Sequence, residues 1–408
     1  MKKFLSAATV FMVTVGLASA SVAQDYSMDE IMQKLQQLEQ KVAQLEAENE
    51  ALRASKGVRV VPRKRTKKLT VKGRVLLRAT WDKRDEIVYK SDGSINTKDF
   101  YGDTPNSMIV RKARVQFQGK LNRNFSYKIH IRADRGTGVR LWDAFVDYKF
   151  DAIPLKLRMG QQKIPVSLSY LRPGPKIKFP ERPIVVRDLD SHDRDVGVRA
   201  IFKPMKGLQL EAAVMNGEGV KQDEDDLKNK IGNIHDKRYS YVFAVDAKPV
   251  NTDVIGLRVR AAYQTGYAYL YYTSANAKRN LFDIEASANI KPVGLILEGG
   301  YSRDNPSHVV KTDGTPETWG NAKGYYVQAD YKVPIEALKN LHLLARYSYD
   351  NINTDASDAK KKVASYGFYY LLDGWQAAIR TAYVVANQGT DTGKDDDRML
   401  VTELQLLF

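Results

Sequence analysis

From residue 69 to the C-terminus the chain alternates apolar and polar side chains in short runs. The stretch 154–162 (PLKLRMGQQ) sets Leu155, Leu157 and Met159 against Lys156 and Arg158. The stretch 195–203 (DVGVRAIFK) sets Val196, Val198, Ala200 and Phe202 against Arg199. Strict alternation is the period of a strand whose two faces meet different surroundings. Sixteen such runs can be laid out, starting near 69, 108, 125, 138, 154, 194, 207, 238, 255, 280, 293, 323, 339, 361, 374 and 397. Short connections fall at 122–124, 151–153, 204–206, 249–253, 291–292, 334–337 and 373–374. Long ones fall at 83–107, 163–193, 217–237, 267–279, 303–322, 350–360 and 387–396, with one tight turn near 135–137. Short turns alternating with long loops are the pattern of an outer-membrane barrel, and an even strand count leaves both ends on the periplasmic side. The expected fold is all-β, a sixteen-stranded antiparallel transmembrane β-barrel over residues 69–408.

The apolar face repeats from run to run. It reads Val75, Leu77, Ala79 and Trp81 early on, then Trp142, Ala144, Val146, Tyr148 and Phe150. Later it reads Tyr239, Tyr241, Phe243 and Val245, and finally Trp375, Ala377, Ile379, Thr381 and Tyr383. Tyrosine and tryptophan gather toward the run ends, as interfacial girdles do. The last run ends on Phe408 after Leu404 and Leu406, similar to the C-terminal assembly signal of bacterial outer-membrane barrels. Mean hydropathy is -0.44. Past the first residues no stretch approaches the ~18 apolar residues of a membrane helix. A helical membrane protein is excluded and a barrel is not, because only alternate strand residues face lipid.

The opposite face is polar and rich in arginine: Arg74, Arg78, Arg114, Arg132, Arg158, Arg199, Arg258, Arg260, Arg346 and Arg380. Arginine stays charged and holds oxyanions through its planar fork, and a ring of side-chain cations gives an anion-preferring pore. Carboxylates share this face at Asp143, Asp147, Glu211, Asp246, Glu285, Glu298 and Asp330, so roughly half of the arginines are expected to brace the wall in ion pairs. The formal charge of +16 points the same way, toward anionic partners.

The connection from 162 to 194 is too long for a hairpin, and loops beyond about 12–15 residues are usually functional. It carries Lys163, Arg172, Lys176, Lys178, Arg182 and Arg187, with prolines at 165, 173, 175, 180 and 183. A stiff basic loop can fold into the pore as a constriction or lie over the surface as a lid. The rest of the chain favours the pore.

Before the barrel come three segments. Lys2 and Lys3, the apolar run 4–18 and the small residues ending at Ala23 form a secretory signal over residues 1–23. Residues 24–55 carry a heptad pattern in which Ile31, Leu35, Leu38, Val42, Leu45, Asn49 and Leu52 alternate steps of four and three. Opposite charges at Lys34 and Glu39, Lys41 and Glu46, and Glu48 and Arg53 suit parallel self-association in the periplasm, with a single docked amphipathic helix as the alternative. Residues 56–68 form a basic linker.

Cysteine is absent, so an exported chain must rely on packing and backbone pairing. Scattered histidines and the lack of a nucleophile elbow argue against an enzyme, and the export signal argues against nucleic acid. The acidic stretch 188–195 is flanked by Arg187 and Arg194 and is expected to be ion-paired, so neither a cofactor nor a metal is expected. The acidic outer stretches 223–226 and 395–397 are expected to be mostly solvated, with bridging to lipopolysaccharide phosphates through divalent cations as the alternative.

The block 110–202 resembles the phosphate-selective porin O/P family. The matching residues are Arg111-Lys112-Ala113-Arg114, Asp143-Ala144-Phe145-Val146, Arg158-Met159-Gly160-Gln161, Pro165, Glu181-Arg182 and Asp195-Val196-Gly197-Val198-Arg199. The resemblance implies a trimeric sixteen-stranded anion channel in the outer membrane, embedded in lipid and lipopolysaccharide, whose third loop folds inward. Members with a dedicated phosphate site carry a Leu-Glu-Lys stretch and a serine pair early in that loop. This chain has Leu168-Ser169-Tyr170-Leu171-Arg172-Pro173 there. The expected function is passive diffusion of small inorganic anions, with phosphate a candidate. A structural anchor that tethers the membrane toward the cell wall through the coiled coil is the alternative.

Overall fold

The structure is a computed structural model that describes residues 69–82, 106–136, 138–190, 194–217, 239–270, 275–310, 316–317, 319–356, 359–388 and 397–408, with isolated helical positions between 33 and 44. The chain divides into two units, residues 1–66 and 67–408. The signal segment, the heptad positions Ile31, Leu35, Leu38, Val42, Leu45, Asn49 and Leu52, and the linker 56–68 lie outside the described residues.

The second unit is one closed antiparallel sheet. Its wall strands are β1 Thr70–Asp82, β2 Ser107–Lys120, β3 Phe125–Arg132, β4 Arg140–Lys149, β5 Leu155–Lys163, β6 Arg194–Met205, β7 Leu208–Met215 and β8 Ser240–Asn251. They continue with β9 Ile255–Leu270, β10 Ala275–Ile290, β11 Leu295–Asp304, β12 Ala322–Lys332, β13 Leu341–Asn351, β14 Lys360–Asp373, β15 Ala377–Gln388 and β16 Asp397–Leu407. Each pairs with its sequence neighbour, and β1 closes on β16 with Arg74 opposite Leu407 and Asp82 opposite Met399. Gly73 and Phe408 complete the seam by exchanging backbone hydrogen bonds of 2.6 and 3.2 Å. Closure pairs every strand edge, the condition for spanning lipid with strands.

Burial runs opposite to that of a soluble sheet. Outward side chains are apolar yet open, such as Trp81 at 48% and Phe243 at 55%, whereas inward Arg260 is fully covered at 0%. That polarity is the one alternation predicted. It matches a protein whose outer face meets lipid and whose inner face meets water and other polar groups.

Three expectations need correction. The loop expected at 267–279 is mostly strand, because β9 and β10 stay paired out to Leu270 and Ala275. A short strand, Ser307–Val310, extends that wall by pairing with β10 and with Pro316–Glu317. The lipid-facing assignments of Trp142 and Trp375 also fail. In β4 the register steps from His130–Asp143 to Ile131–Leu141 and leaves Trp142 as a bulged extra residue. A bulge re-aims its side chain, and here Trp142 and Asp143 both turn inward and are buried. Trp375 lies at the turn before β15, and its ring is 5.3 Å from that of Tyr369, whose hydroxyl donates to inward Asp330 at 3.1 Å. A second bulge, in β2, moves the partner of β1 from Lys112 to Val110 and brings Arg111 and Lys112 inward together.

Gly160 has a physical reason for its place in β5, opposite Phe145 of β4. Its φ is +116°, and a Cβ there would lie 2.2 Å from the Ala144 carbonyl oxygen. Replacing Gly160 with Ala combines a strained backbone, worth about 1–3 kcal/mol, with a clash against backbone. The expected outcome is a lower denaturant midpoint, and less of the heat-modifiable folded form in unheated electrophoresis.

Candidate functional site

The barrel encloses a cavity of about 890 Å³ lined from β1 to β9, from the C-terminus and from the segment joining β5 to β6. Among the described residues that line it are thirteen cations: Lys72, Arg74, Lys112, Arg114, Lys128, Arg158, Lys163, Arg182, Arg187, Arg194, Arg199, Arg258 and Arg260. Four carboxylates share the lining: Asp143, Glu181, Glu211 and Asp246. The cations collect on one side because the inward rows of β1, β2, β3, β5, β6 and β9 each contribute one or two of them.

Most of these cations are held by partners. Arg158 straddles Asp147 with contacts of 2.6 and 2.9 Å, and Arg114 grips Asp134 from the turn after β3. Arg199 donates to Glu211 at 2.6 Å, and Arg260 reaches the same carboxylate at 2.8 Å. Arg258 clamps Asp246 at 2.6 and 2.9 Å. Fork-to-fork pairs of this kind fix orientation as well as charge. Arg74 and Lys112 differ: both are buried, and neither makes a hydrogen bond or ion pair among the described residues. Arg74 also stands directly opposite Arg114 in the β1–β2 register, a like-charge pairing that a sheet does not choose for stability.

Trp142 gathers the arginines around it. The Arg132 guanidinium lies 3.4 Å from the indole centroid, Arg194 lies 3.9 Å away and Arg114 lies 5.4 Å away. Phe145 supports Arg158 at 3.7 Å. A desolvated cation–π contact contributes about 2 kcal/mol, which offsets part of the cost of crowding like charges.

The segment between β5 and β6 contacts strands around much of the wall. It holds one turn of helix, α1 Leu168–Leu171, capped by the Ser167 hydroxyl, which accepts from the Tyr170 N–H at 3.0 Å. Ser167 donates to Glu285 of β10, and the Ser169 N–H donates to the same carboxylate at 2.7 Å. Arg172 pairs with Glu298 of β11 at 2.6 Å, and Lys178 lies 3.3 Å from Glu298 and 3.0 Å from Asp330. Arg380 of β15 donates to the Pro175 carbonyl at 2.7 Å, and Arg346 of β13 donates to the Glu181 carbonyl at 2.8 Å. Arg78 of β1 bonds the Glu181 and Glu403 carboxylates, each at 2.6 Å. Burial opposes the charge on Glu181, but Arg78, Arg111 and Lys112 overcome it and hold the group well below the usual carboxylate range. Arg182 donates to the carbonyls of Ser169, Tyr170 and Arg172. Its own burial, with Arg194 adding to the effect, lowers it to about 10, so it is still charged at neutral pH.

The predicted residues thus separate into two groups. Arg74, Arg114, Arg158, Arg199, Arg258 and Arg260 line the cavity with Lys163 and Arg182. Arg78, Arg346 and Arg380 instead hold the β5–β6 segment, Arg132 covers Trp142, and Arg172 and Lys178 point to Glu298. Lys176 is exposed. Sequence reasoning missed Lys72 and Lys128, which the same alternation could have found. It also missed Lys112, which the same count reaches from Arg114, and Trp142, which depends on a bulge that alternation cannot register.

A closed sixteen-stranded barrel with an apolar outside and a charged, cavity-bearing inside is an outer-membrane porin. Residues 89–408 match the family described as phosphate-selective porin O and P, and the chain belongs to that family. No curated protein matches the sequence. Among solved structures, the chain is similar to an anion-selective porin from Comamonas acidovorans at 12% identity, covering 84% of this chain and 100% of that one with a TM-score of 0.57. The outer membrane channel DcaP of Acinetobacter baumannii matches at 13% identity over 84% and 97% of the two chains, with a TM-score of 0.54. The trimer form of OmpT from Vibrio cholerae matches at 12% identity over 84% and 99%, with a TM-score of 0.52. At these identities the likeness concerns the fold. Family and fold together make this protein an outer-membrane channel for small solutes, and a purely anchoring role is not favoured.

Proposed function

We propose that the channel carries small anions by passive diffusion, phosphate among them, and that the β5–β6 segment is an inward-folded constriction loop. The single observation that carries the first part is the cavity lining, with thirteen cations against four carboxylates. Such an excess lowers the energy of an entering anion and raises that of a cation. The contacts of one short segment with β1, β10, β11, β13 and β15 support the second part, since a lid above the rim would not meet inward residues on so many strands. The proposed pathway residues are Arg74, Arg114, Arg158, Arg199, Arg258 and Arg260, with Lys163 and Arg182 at the loop. The Leu168–Leu171 helix stands where the family's phosphate-binding stretch is expected, so phosphate competes only weakly with chloride. In a bilayer with a potassium chloride gradient the reversal potential is expected to take the sign of chloride selectivity. A potassium-selective channel would overturn the reading.

The proposal extends to assembly. Three copies form the working unit, with residues 24–55 as a parallel coiled coil in the periplasm after removal of residues 1–23, and with 56–68 as the linker. The heptad pattern and the trimeric form of the similar OmpT support this. Lipid and lipopolysaccharide would meet the outward aromatic face. Residues 24–55 expressed alone should sediment as an oligomer. A monomer at high concentration refutes the coiled coil, and full-length protein that cross-links only to dimers refutes the trimer.

A further inference from the structure

We propose that the cargo this channel favours is a small carboxylate with an apolar body, in preference to a fully hydrated inorganic oxyanion. The inference rests on the anion-channel reading and deepens it. It comes from a contrast between two sides of the cavity. On one side Arg74, Lys112, Arg114 and Arg158 present cationic heads from β1, β2 and β5. On the other, the β5–β6 segment presents Leu171, Pro173, Pro175 and Ile177.

The apolar character of the second side follows from where the segment spends its polar groups. Both prolines lack a backbone N–H. The Pro175 carbonyl is taken by Arg380 at 2.7 Å and Gln405 at 3.3 Å. Arg172 and Lys178 turn to Glu298, and Ser167 turns to Glu285. The carbonyls of Tyr170 and Arg172 are occupied by Lys163 and Arg182. What the stretch from Leu171 to Ile177 leaves toward the cavity is hydrocarbon, with Lys163 and Tyr170 before it and Glu181, Arg182 and Arg187 after it completing the lining on that side. The two sides meet at Gly174, where a Cβ would lie 2.8 Å from Arg74 Nη1. A solute passing there touches both.

A hydrated phosphate gains from the cations and nothing from the hydrocarbon, whose approach strips its water. A carboxylate with an alkyl or aryl body gains twice: its head meets Arg74 and Lys112, which have no partner among the described residues, and its body leaves water against the loop.

The test uses full-length protein in planar bilayers, with chloride current measured against added acetate, butyrate, benzoate or phosphate. Half-inhibiting concentrations are expected to fall in the order acetate, butyrate, benzoate, with benzoate at least tenfold below acetate and below phosphate. The double substitution Leu171→Gln with Pro173→Ser should bring benzoate back to within about threefold of acetate while the potassium chloride reversal potential stays put. Equal block by acetate and benzoate in an anion-selective channel overturns the inference and leaves the channel reading standing. So does block by phosphate stronger than by benzoate. A cation-selective unmutated channel sinks the channel reading itself. The carboxylate series on unmutated protein decides the matter even if the double variant fails to assemble.

Discussion

Replacing Arg74 and Lys112 together with Met is expected to lower the anion-to-cation permeability ratio tenfold or more. At an effective dielectric near 20, a unit charge about 6 Å from an ion's path changes its energy by roughly 3 kcal/mol before screening. Salt with a Debye length of about 8–10 Å leaves about a fifth of that for a half-open site. The remainder acts with opposite sign on anion and cation, so each lost charge counts twice in the ratio. These two buried cations matter most because neither makes a hydrogen bond or ion pair among the described residues. Arg158 and Arg258, by contrast, each sit on a carboxylate. Substituting Arg258 alone should therefore shift the reversal potential less. An unchanged ratio in the Arg74 and Lys112 double variant would mean that selectivity is set elsewhere along the channel.

Replacing Glu298 with Ala should loosen the β5–β6 segment. Glu298 lies 2.6 Å from Arg172 and 3.3 Å from Lys178, and Gln328 donates to it as well. Removing one partner from a buried ion pair costs about 3–5 kcal/mol, because the remaining charge stays in a poor solvent. That is a large part of what can hold a segment of this length. The expected result is higher and noisier single-channel conductance, together with tryptic cleavage after Lys176 and Lys178 that the parent protein resists. Glu298→Gln keeps the hydrogen-bonding shape without the charge and should fall between the two. Conductance and cleavage both unchanged would show that Glu285 and Arg380 hold the segment without it.

Much of the site was written in the alternation. Arg74, Arg114, Arg158 and Arg199 sit at inward positions because side chains two apart on a strand share a face. Counting by twos from any of them reaches the next lining residue. The count fails at Arg111 and at Trp142, where one strand carries an extra residue and two consecutive side chains turn the same way. Backbone pairing decides where a bulge falls, and the spacing of apolar residues carries no mark of it. Trp142 was the costlier error, since an aromatic near a strand end reads as a membrane girdle until three guanidinium groups are found around it.

The division of labour follows from range. Sequence alone determined the sixteen strands, their order and, away from the bulges and turns, the side a residue faces, because each of these depends on neighbours within a few positions and on one contrast, lipid against water. It also determined the surplus of positive charge, which no folding can change. Tertiary structure decided which cations remain unpaired. The partners of Arg78, Arg172 and Arg260 come from Glu403, Glu298 and Glu211, far off in sequence or on another strand, and only closure of the sheet brings them within 2.6–2.8 Å. It decided too that Arg172 and Lys178 turn to the barrel wall and leave Leu171, Pro173, Pro175 and Ile177 toward the cavity. A loop's composition lists its charges, but only the surface it packs against determines which of them stay free to meet a solute.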